Sequence, residues 1–136
     1  MHNGSNNWQV PYSSIAWFET MLASHGNIAR WSRSNDILFV VQRKRPSDNI
    51  FVLLVNTYTF GVADYYRAKG EFPKLTCITL SGDWNGYTPE AKKLTESEGI
   101  GLFVPKELYA AIWREKPNKY VQRDSKGSPM YHFRVA

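Results

Sequence analysis

This chain of 136 residues has a single cysteine, and it lacks the long apolar segments and the leader pattern of membrane and exported proteins. Cys77 cannot form a disulfide within the chain, and its position in the strand-like stretch KLTCITL predicts a buried, unreactive thiol. The longest apolar run is far shorter than the ~20 residues that span a bilayer. The N-terminus has no charged segment followed by an apolar one. We therefore expect a protein without membrane association, located in the cytoplasm.

Repeats and low-complexity tracts are absent as well, and the remaining composition is typical of a folded domain. Hydrophobic residues make up 43% of the chain and aromatic residues 15%, enough for one core but not for two domains of ordinary size. We predict a polar, mobile lead-in over residues 1–12, a folded domain over 13–116 and a basic hairpin or tail over 117–136.

The positive charge is concentrated in two parts of the chain. The net charge is +5, and residues 114–136 contain six basic and two acidic residues. The stretch QRKRP is the second basic group. Localised positive charge attracts phosphate backbones, although a solvated charged face also favours solubility. The residues predicted to contact nucleic acid are Arg43, Lys44, Arg45, Lys119, Arg123, Lys126 and Arg134.

Hydrophobic periodicity and turn residues predict the element order α-β-β-α-β-α-β-α. The helices correspond to SSIAWFETMLASHG, GVADYYRAKG, TPEAKKLTESEG and PKELYAAIW, and the strands to DILFVVQRKR, IFVLLV, LTCITL and IGLFV. In the first helix, Ser13 or Ser14 can cap the start, and an apolar stripe at helical spacing is formed by Ile15, Phe18 and Leu22. Thr88 and Pro89 mark the clearest helix start, as N-cap and first helical residue. The turn PSDN joins the first two strands, so we expect them to pair antiparallel. The order predicts a single-domain α/β fold, a mixed sheet flanked by helices.

The segment ITLSGDWNGYTPEAKKLTESEGIGLFVPKELYAAI contains four motifs in order. The strand Ile78–Leu80 precedes the helix start Tyr87-Thr88-Pro89-Glu90-Ala91, the strand Gly99-Ile100-Gly101-Leu102 and Glu107-Leu108 in the last helix. This arrangement resembles the C-terminal half of the Mrr-like branch of the restriction-endonuclease-like, or PD-(D/E)xK, fold. By element order the resemblance covers about residues 13–113.

The resemblance implies a fold that cleaves phosphodiesters with acidic side chains, a backbone carbonyl and a lysine around one or two Mg²⁺ ions. It implies an Asp at the start of one strand and Glu/Gln-x-Lys at the end of the next. Asp36 matches the first position, and an ordinary turn or strand-start carboxylate is the alternative. The second position falls on Val55, Asn56, Thr57 and Tyr58, which include neither an acid nor a lysine. These residues predict a degenerate catalytic site.

The stretch VVQRKRP offers an alternative catalytic motif. Gln42-x-Lys44 resembles the Gln-x-Lys of the Mrr-like branch, with Gln42 as a metal ligand and Lys44 as the catalytic lysine. Strand side chains repeat every two residues, so both would share one face. Asp36 lies six residues before Gln42, about 20 Å away at ~3.3 Å per residue. That distance excludes a metal site shared by the two residues.

Three functions stay open at this point. The first is a nuclease-like domain that has lost catalysis and binds nucleic acid, DNA in preference to RNA, or a protein partner. The second is an active Mg²⁺-dependent DNA endonuclease that uses Gln42-x-Lys44. The third is a protein-interaction or sensor subunit without nucleic-acid binding, which includes a homodimer. His25 and His132 have no second ligand at metal-binding spacing, so we expect no resident metal or cofactor unless Mg²⁺ serves catalysis.

Overall fold

The structure, a computed structural model, describes residues 4–135. Residues 1–3 of the predicted lead-in and residue 136 of the predicted tail lie outside the described residues. The helices are α1 (Tyr12–Ser24), α2 (Val62–Glu71), α3 (Pro89–Ser97) and α4 (Pro105–Ala111). The strands are β1 (Ile28–Ser34), β2 (Leu38–Arg43), β3 (Asn49–Val55), β4 (Thr59–Phe60), β5 (Cys77–Leu80), β6 (Gly86–Tyr87), β7 (Gly101–Phe103), β8 (Gln122–Arg123) and β9 (Pro129–Met130).

A five-stranded mixed sheet forms the centre of the domain, in the order β1-β2-β3-β5-β7. Strand β2 is antiparallel to both β1 and β3, whereas β3, β5 and β7 run parallel to one another. The prediction of one α/β domain with a mixed sheet is confirmed, and so is the antiparallel pairing of the strands joined by PSDN. Helices flank the sheet and cover a continuous apolar core.

Strand β1 was not expected from the sequence. Its residues, IARWSRS, are mostly polar and only Ile28 is buried, because β1 is an edge strand with a single partner. Trp31 lies opposite Val41 of β2 and packs against the core without being fully buried. An edge strand with so few apolar side chains gives a weak periodic signal.

Two helix starts illustrate local control of the fold. Helix α3 begins as expected, since the Thr88 hydroxyl accepts a hydrogen bond from the Ala91 N–H at 3.1 Å and Pro89 follows the cap. Helix α1 begins at Tyr12, one residue before the serines expected to cap it, with Pro11 in the N-cap position. Its apolar stripe packs on the sheet as predicted, with the Phe18 ring edge-on to Phe39 at 4.8 Å.

The described part of the lead-in belongs to the domain. Trp8 and Val10 are buried in the core, and the Trp8 ring stacks near Phe60 with 6.5 Å between centroids. The Asn6 side chain accepts from the N–H groups of Trp8 and Val10, which folds the segment into a tight turn. The prediction of a separate, polar lead-in is therefore wrong from residue 4 onward. Trp8 and Val10 belong to the core, and the polar composition of the segment did not indicate this.

The C-terminal segment is folded against the domain through a small parallel sheet. Strands β4 and β6 pair with each other, and Phe133 forms a parallel bridge with Tyr87 of β6. Tyr87 donates from its N–H to the His132 carbonyl, and its own carbonyl accepts from the Arg134 N–H. Between Tyr120 and Phe133, strands β8 and β9 form an antiparallel hairpin.

Two expectations from what the sequence lacks can be compared with the structure. Within residues 4–135, no helix has the length and apolar character needed to cross a membrane. Cys77 is fully buried in β5, and this burial raises the pKa of its thiol to about 12. The thiol therefore stays protonated at neutral pH, as expected for an unreactive core cysteine.

Candidate functional site

The first candidate region is the end of the sheet where β2 begins and β3 ends. Leu38 pairs with Leu53, and the Leu54 N–H donates to the Ile37 carbonyl at 3.0 Å. This register brings Asp36 beside the end of β3, so the two positions named by the family resemblance do meet. Asp36 does not begin a strand, however. It occupies the tight turn between β1 and β2 with φ of 67°, a conformation that Asp tolerates.

The Asp36 carboxylate is occupied by the protein itself. Its side chain is 1% exposed, and it accepts from Arg33 Nη1 at 2.9 Å, from Asn6 Nδ2 at 2.7 Å and from the Gly4 N–H at 3.1 Å. Charge-assisted bonds of this kind are among the strongest in proteins. Asp36 thus fastens the N-terminal segment to the β1–β2 turn, which is the structural alternative considered for it above.

The end of β3 is held in a similar way by neutral groups. Asn56 donates from Nδ2 to the Gln9 carbonyl at 2.8 Å and accepts at Oδ1 from the Ser81 hydroxyl at 3.1 Å. Its N–H donates to the Trp8 carbonyl at 3.2 Å. We name Asn6, Arg33, Asp36 and Asn56 the sheet-end cluster, because together they join the N-terminal segment to the strand ends.

The neighbours of Asn56 complete this edge. Val55 is buried, and the Thr57 carbonyl accepts from Asn85 Nδ2 at 3.0 Å. Tyr58 is exposed, with the Arg134 guanidinium 4.1 Å from its ring centroid. Arg134 also donates to the Trp84 carbonyl. Although predicted as a nucleic-acid contact, Arg134 is half-buried and joins the C-terminal segment to the strand ends.

A magnesium ion does not fit the side chains present at this edge. The Asp36 oxygens are held by a guanidinium, an amide and an N–H, and the Asn56 amide is bonded at both ends. Positions 55–58 add no charged group. Across residues 4–135, no cluster of three or more His, Cys, Asp or Glu side chains is arranged to hold a metal ion.

Gln42 and Lys44 lie at the opposite end of β2. Gln42 pairs with Asn49 of β3 and accepts at Oε1 from the Arg30 side chain. Lys44 is exposed just beyond the strand. The alternative motif is therefore separated from Asp36 by the length of β2, as the residue count predicted, and Gln42 is engaged by a cation.

Arg43, between them, points to the other face and is 1% exposed. Its Nε and Nη2 each donate to the Asp48 carboxylate at 2.8 Å, and Nη1 donates to the Ile112 and Arg114 carbonyls beyond α4. A phosphate cannot reach this buried, saturated guanidinium, so the prediction of Arg43 as a nucleic-acid contact is corrected. Alternation with Phe39 and Val41 was the signal for its inward direction.

His25 likewise has a structural role. Its Nε2–H donates to the Tyr109 carbonyl at 2.8 Å, while Nδ1 accepts from the Asn27 N–H at 3.0 Å. Burial lowers the pKa of His25 below its ordinary value of 6.5. The neutral imidazole therefore joins the end of α1 to α4.

The second candidate region is the basic C-terminal surface, which has two grooves. The first, here called the arginine groove, has a volume of about 310 Å³ and is lined by Arg114, Lys119, Tyr120, Val121 and Arg123. The second, here called the aromatic groove, has a volume of about 430 Å³ and is lined by Pro89, Lys92, Lys93, Glu96, Ser97, Lys119, Tyr131 and Phe133. Lys119 lines both, so the grooves adjoin.

The residues predicted for nucleic-acid contact divide accordingly. Lys119 and Arg123 are exposed and lie in the grooves, and Lys126 is exposed in the turn of the β8–β9 hairpin. Lys44 and Arg45 are exposed after β2. Sequence analysis missed Lys93, Tyr131 and Phe133. The alternation of Tyr131 with Phe133 was the available signal, since residues two apart in extended chain share a face.

Comparisons with protein-family models, with curated proteins and with solved structures found no match to this chain.

Proposed function

We propose that this chain is a nuclease-like domain that has lost catalysis and binds nucleic acid, DNA in preference to RNA. The observation that carries the proposal is the pair of adjoining grooves that share Lys119. Arg114, Lys119 and Arg123 present their charges along one open surface, where a row of phosphates can replace the counterions around them. Lys44 and Arg45 add positive charge after β2.

The loss of catalysis is supported by the sheet-end cluster. Metal-dependent phosphodiester cleavage needs acidic ligands free to bind the ion and a lysine beside the attacking water. At this edge the carboxylate of Asp36 is bound to Arg33 and Asn6, and Asn56 stands where the family resemblance implies an acid. A restriction-endonuclease-like ancestry for the mixed sheet, and a cytoplasmic location, are part of the same proposal.

Binding to a labelled duplex at two salt concentrations tests the proposal. We expect a Kd that rises steeply between about 50 and 200 mM salt, because each phosphate contact releases counterions. The double variant Lys119→Ala, Arg123→Ala should weaken binding and reduce the slope of log K against log salt by about 2. The double variant Lys69→Ala, Lys74→Ala removes the same charge from the end of α2 and should bind like the parent. Binding that ignores salt, or equal loss in both variants, contradicts the proposal.

Catalysis is tested separately in a cleavage assay with Mg²⁺ or Mn²⁺. We expect no cleavage of duplex or single-stranded DNA by the parent protein. Cleavage that disappears in both Gln42→Ala and Lys44→Ala would restore the endonuclease hypothesis. Cleavage that persists in both variants would point to a contaminating nuclease. It would not contradict the expected loss of catalysis in this chain.

One observation favours a protein partner as a second function. Trp17 of α1 and Trp84 after β5 are 51% and 64% exposed, and they line a groove of about 330 Å³ with Ser13, Ser14, Ser81, Gly82 and Asp83. Exposed aromatic side chains of this size are typical of protein interfaces. Sedimentation of the parent and of a Trp17→Ser, Trp84→Ser variant tests the homodimer form. A dimer that the variant dissociates supports it, and a monomer at all concentrations contradicts it.

A further inference from the structure

We propose that the C-terminal grooves take single-stranded DNA, with bases stacking on Tyr131 and Phe133 and phosphates following Lys119 and Arg123. The inference rests on the proposed function and names its substrate class. It depends on a separate observation, which is the presence of exposed aromatic rings beside the cations.

The two rings stack on each other, and we call this stacked pair the platform. Their centroids are 4.8 Å apart with an interplanar angle of 18°, and Tyr131 and Phe133 are 37% and 45% exposed. Residues two apart in an extended segment point to the same side, which explains the stack. A nucleobase can extend such a stack, since every base offers a π-face.

The platform is fixed in place by β6. The Phe133 ring stands edge-on to Tyr87 at 5.7 Å with an interplanar angle of 87°. Tyr87 is buried, and its hydroxyl donates to the Glu107 carboxylate and accepts from the His132 N–H. The backbone bridge between Phe133 and Tyr87 also holds the segment. A fixed platform loses little conformational entropy when a base stacks on it.

Three lysines line the aromatic groove, and two of them supply positive charge at its surface. Lys92 turns inward, donates to the Leu102 carbonyl at 2.6 Å and lies 4.5 Å from the Phe103 ring centroid. It therefore has a structural role in the core below the groove. Burial lowers the pKa of its ammonium group. Lys93 and Lys119 are exposed at the groove, and Glu96 is the acid that lines it with them.

The arginine groove continues from the aromatic groove at Lys119. The 3₁₀ turn Pro117–Lys119 places that lysine at both grooves, and Pro117 of the same turn is buried. Tyr120 packs edge-on to Phe103 at 6.3 Å, with the Arg114 guanidinium 5.5 Å from the Tyr120 ring centroid. A strand that stacks bases in one groove can therefore place its phosphates in the other.

Duplex DNA can contact the basic groups of this surface but not its aromatic rings. Its phosphates are accessible, but its bases are stacked inside and cannot reach a protein ring without being flipped out. A single strand presents both the backbone and unstacked bases, which is why aromatic platforms beside basic grooves suit it. The combination of the two grooves thus favours a single strand.

Fluorescence anisotropy with a labelled oligothymidylate of about 15 nucleotides tests the inference, against a duplex and an RNA of the same length. We expect the single-stranded DNA to bind more tightly than the duplex and the RNA. Tyr131→Leu keeps an apolar side chain but removes the ring. It should weaken single-strand binding roughly 5- to 150-fold and weaken duplex binding far less, because paired bases do not reach the ring.

Two controls separate stacking from loss of structure. Tyr66→Leu makes the same change at an exposed tyrosine of α2 and should bind like the parent. The thermal transition of each variant reports folding, and Tyr131 is preferred to Phe133 because Phe133 also packs on Tyr87. Equal loss in Tyr66→Leu and Tyr131→Leu would overturn the stacking role.

The outcomes also separate this inference from the proposed function. Absence of binding to every nucleic acid at low salt defeats both. Duplex binding that needs Lys119 and Arg123, with single-strand binding no tighter and no effect of Tyr131→Leu, overturns only the single-strand inference. Tighter binding to the RNA overturns the assignment to DNA.

Discussion

The sheet-end cluster and the C-terminal grooves use similar side chains for opposite purposes. In the cluster, Asp36 and Arg33 are buried and bonded to each other, and Asn56 is bonded at both ends. In the grooves, Lys119 and Arg123 are exposed, and Arg123 donates from Nη1 to the Gly127 carbonyl at 2.8 Å. Buried charge must be paired to be tolerated, whereas exposed charge is kept at little cost and is free to meet a ligand. The charged groups of the cluster thus stabilise the fold, whereas those of the grooves form the surface that we propose for binding.

Arg43 and Lys44 bring this contrast to adjacent residues and give the largest expected effect. Arg43→Met removes a buried cation that holds Asp48 and the carbonyls after α4, and it should lower the free energy of unfolding by about 3–5 kcal/mol. Lys44→Met should change it by less than about 0.5 kcal/mol. Urea unfolding measures both. Similar free energies of unfolding for the two variants would contradict the distinction between the buried Arg43 and the exposed Lys44.

Asp36→Ala tests the structural role of the cluster directly. It removes the acceptor shared by Arg33, Asn6 and the Gly4 N–H, and we expect a loss of about 2–3 kcal/mol in the free energy of unfolding. Asp83→Ala, at an exposed carboxylate that accepts a long, 3.3 Å bond from the Lys106 N–H, should cost far less. DNA binding of the folded Asp36→Ala protein should equal that of the parent. A stable variant that fails to bind would place Asp36 in the binding site.

Asn56→Ala should have an intermediate effect. It leaves the Ser81 hydroxyl and the Gln9 carbonyl without this partner, which we expect to cost about 1–2 kcal/mol by urea unfolding. Thr57→Ala at the next position should be within about 0.5 kcal/mol of the parent, since it is the Thr57 carbonyl that Asn85 contacts. Equal losses would show that the strand end as a whole, and not the Asn56 amide, secures the N-terminal segment.

The smallest expected effect is the pH dependence that the buried His25 contributes to stability. Burial lowers the pKa of His25 in the folded state, so the unfolded chain binds a proton first as the pH falls below about 6.5. Stability should be full above that pH and should decrease as the pH falls toward the folded pKa. Urea unfolding of the parent and of His25→Gln between about pH 5 and 8 measures it. The same slope in both proteins would remove His25 as the cause.

Local patterns predicted much of the fold. Thr88 and Pro89 fixed the start of α3, and the stripe Ile15, Phe18 and Leu22 predicted the buried face of α1. Strand β1 was missed because an edge strand with one buried residue has little periodicity. The Trp8 side chain was assigned to a polar lead-in because its burial depends on Phe60, far along the chain.

The candidate site was less accessible to sequence reasoning. The concentration of basic residues after residue 114 indicated a binding surface, but the same count included Arg134, which is held at the strand ends. Arg43 was assigned to a surface by charge, although its alternation with Phe39 and Val41 indicates the core. The type of residue therefore predicted where charge lies along the chain, but not which charged side chains face solvent.

By itself the sequence determined the helices, the alternating strands, the position of the net charge and the lack of an acid or lysine at positions 55–58. These features depend on residues a few positions apart, where helix and strand periodicity act. Only the tertiary structure decided that Asn6 binds Asp36, 30 residues away, that Arg43 donates to the Ile112 carbonyl just after α4, and that Lys119 lines two grooves. The direction and partners of a charged side chain depend on which distant elements pack beside it, and the local sequence pattern does not specify those elements.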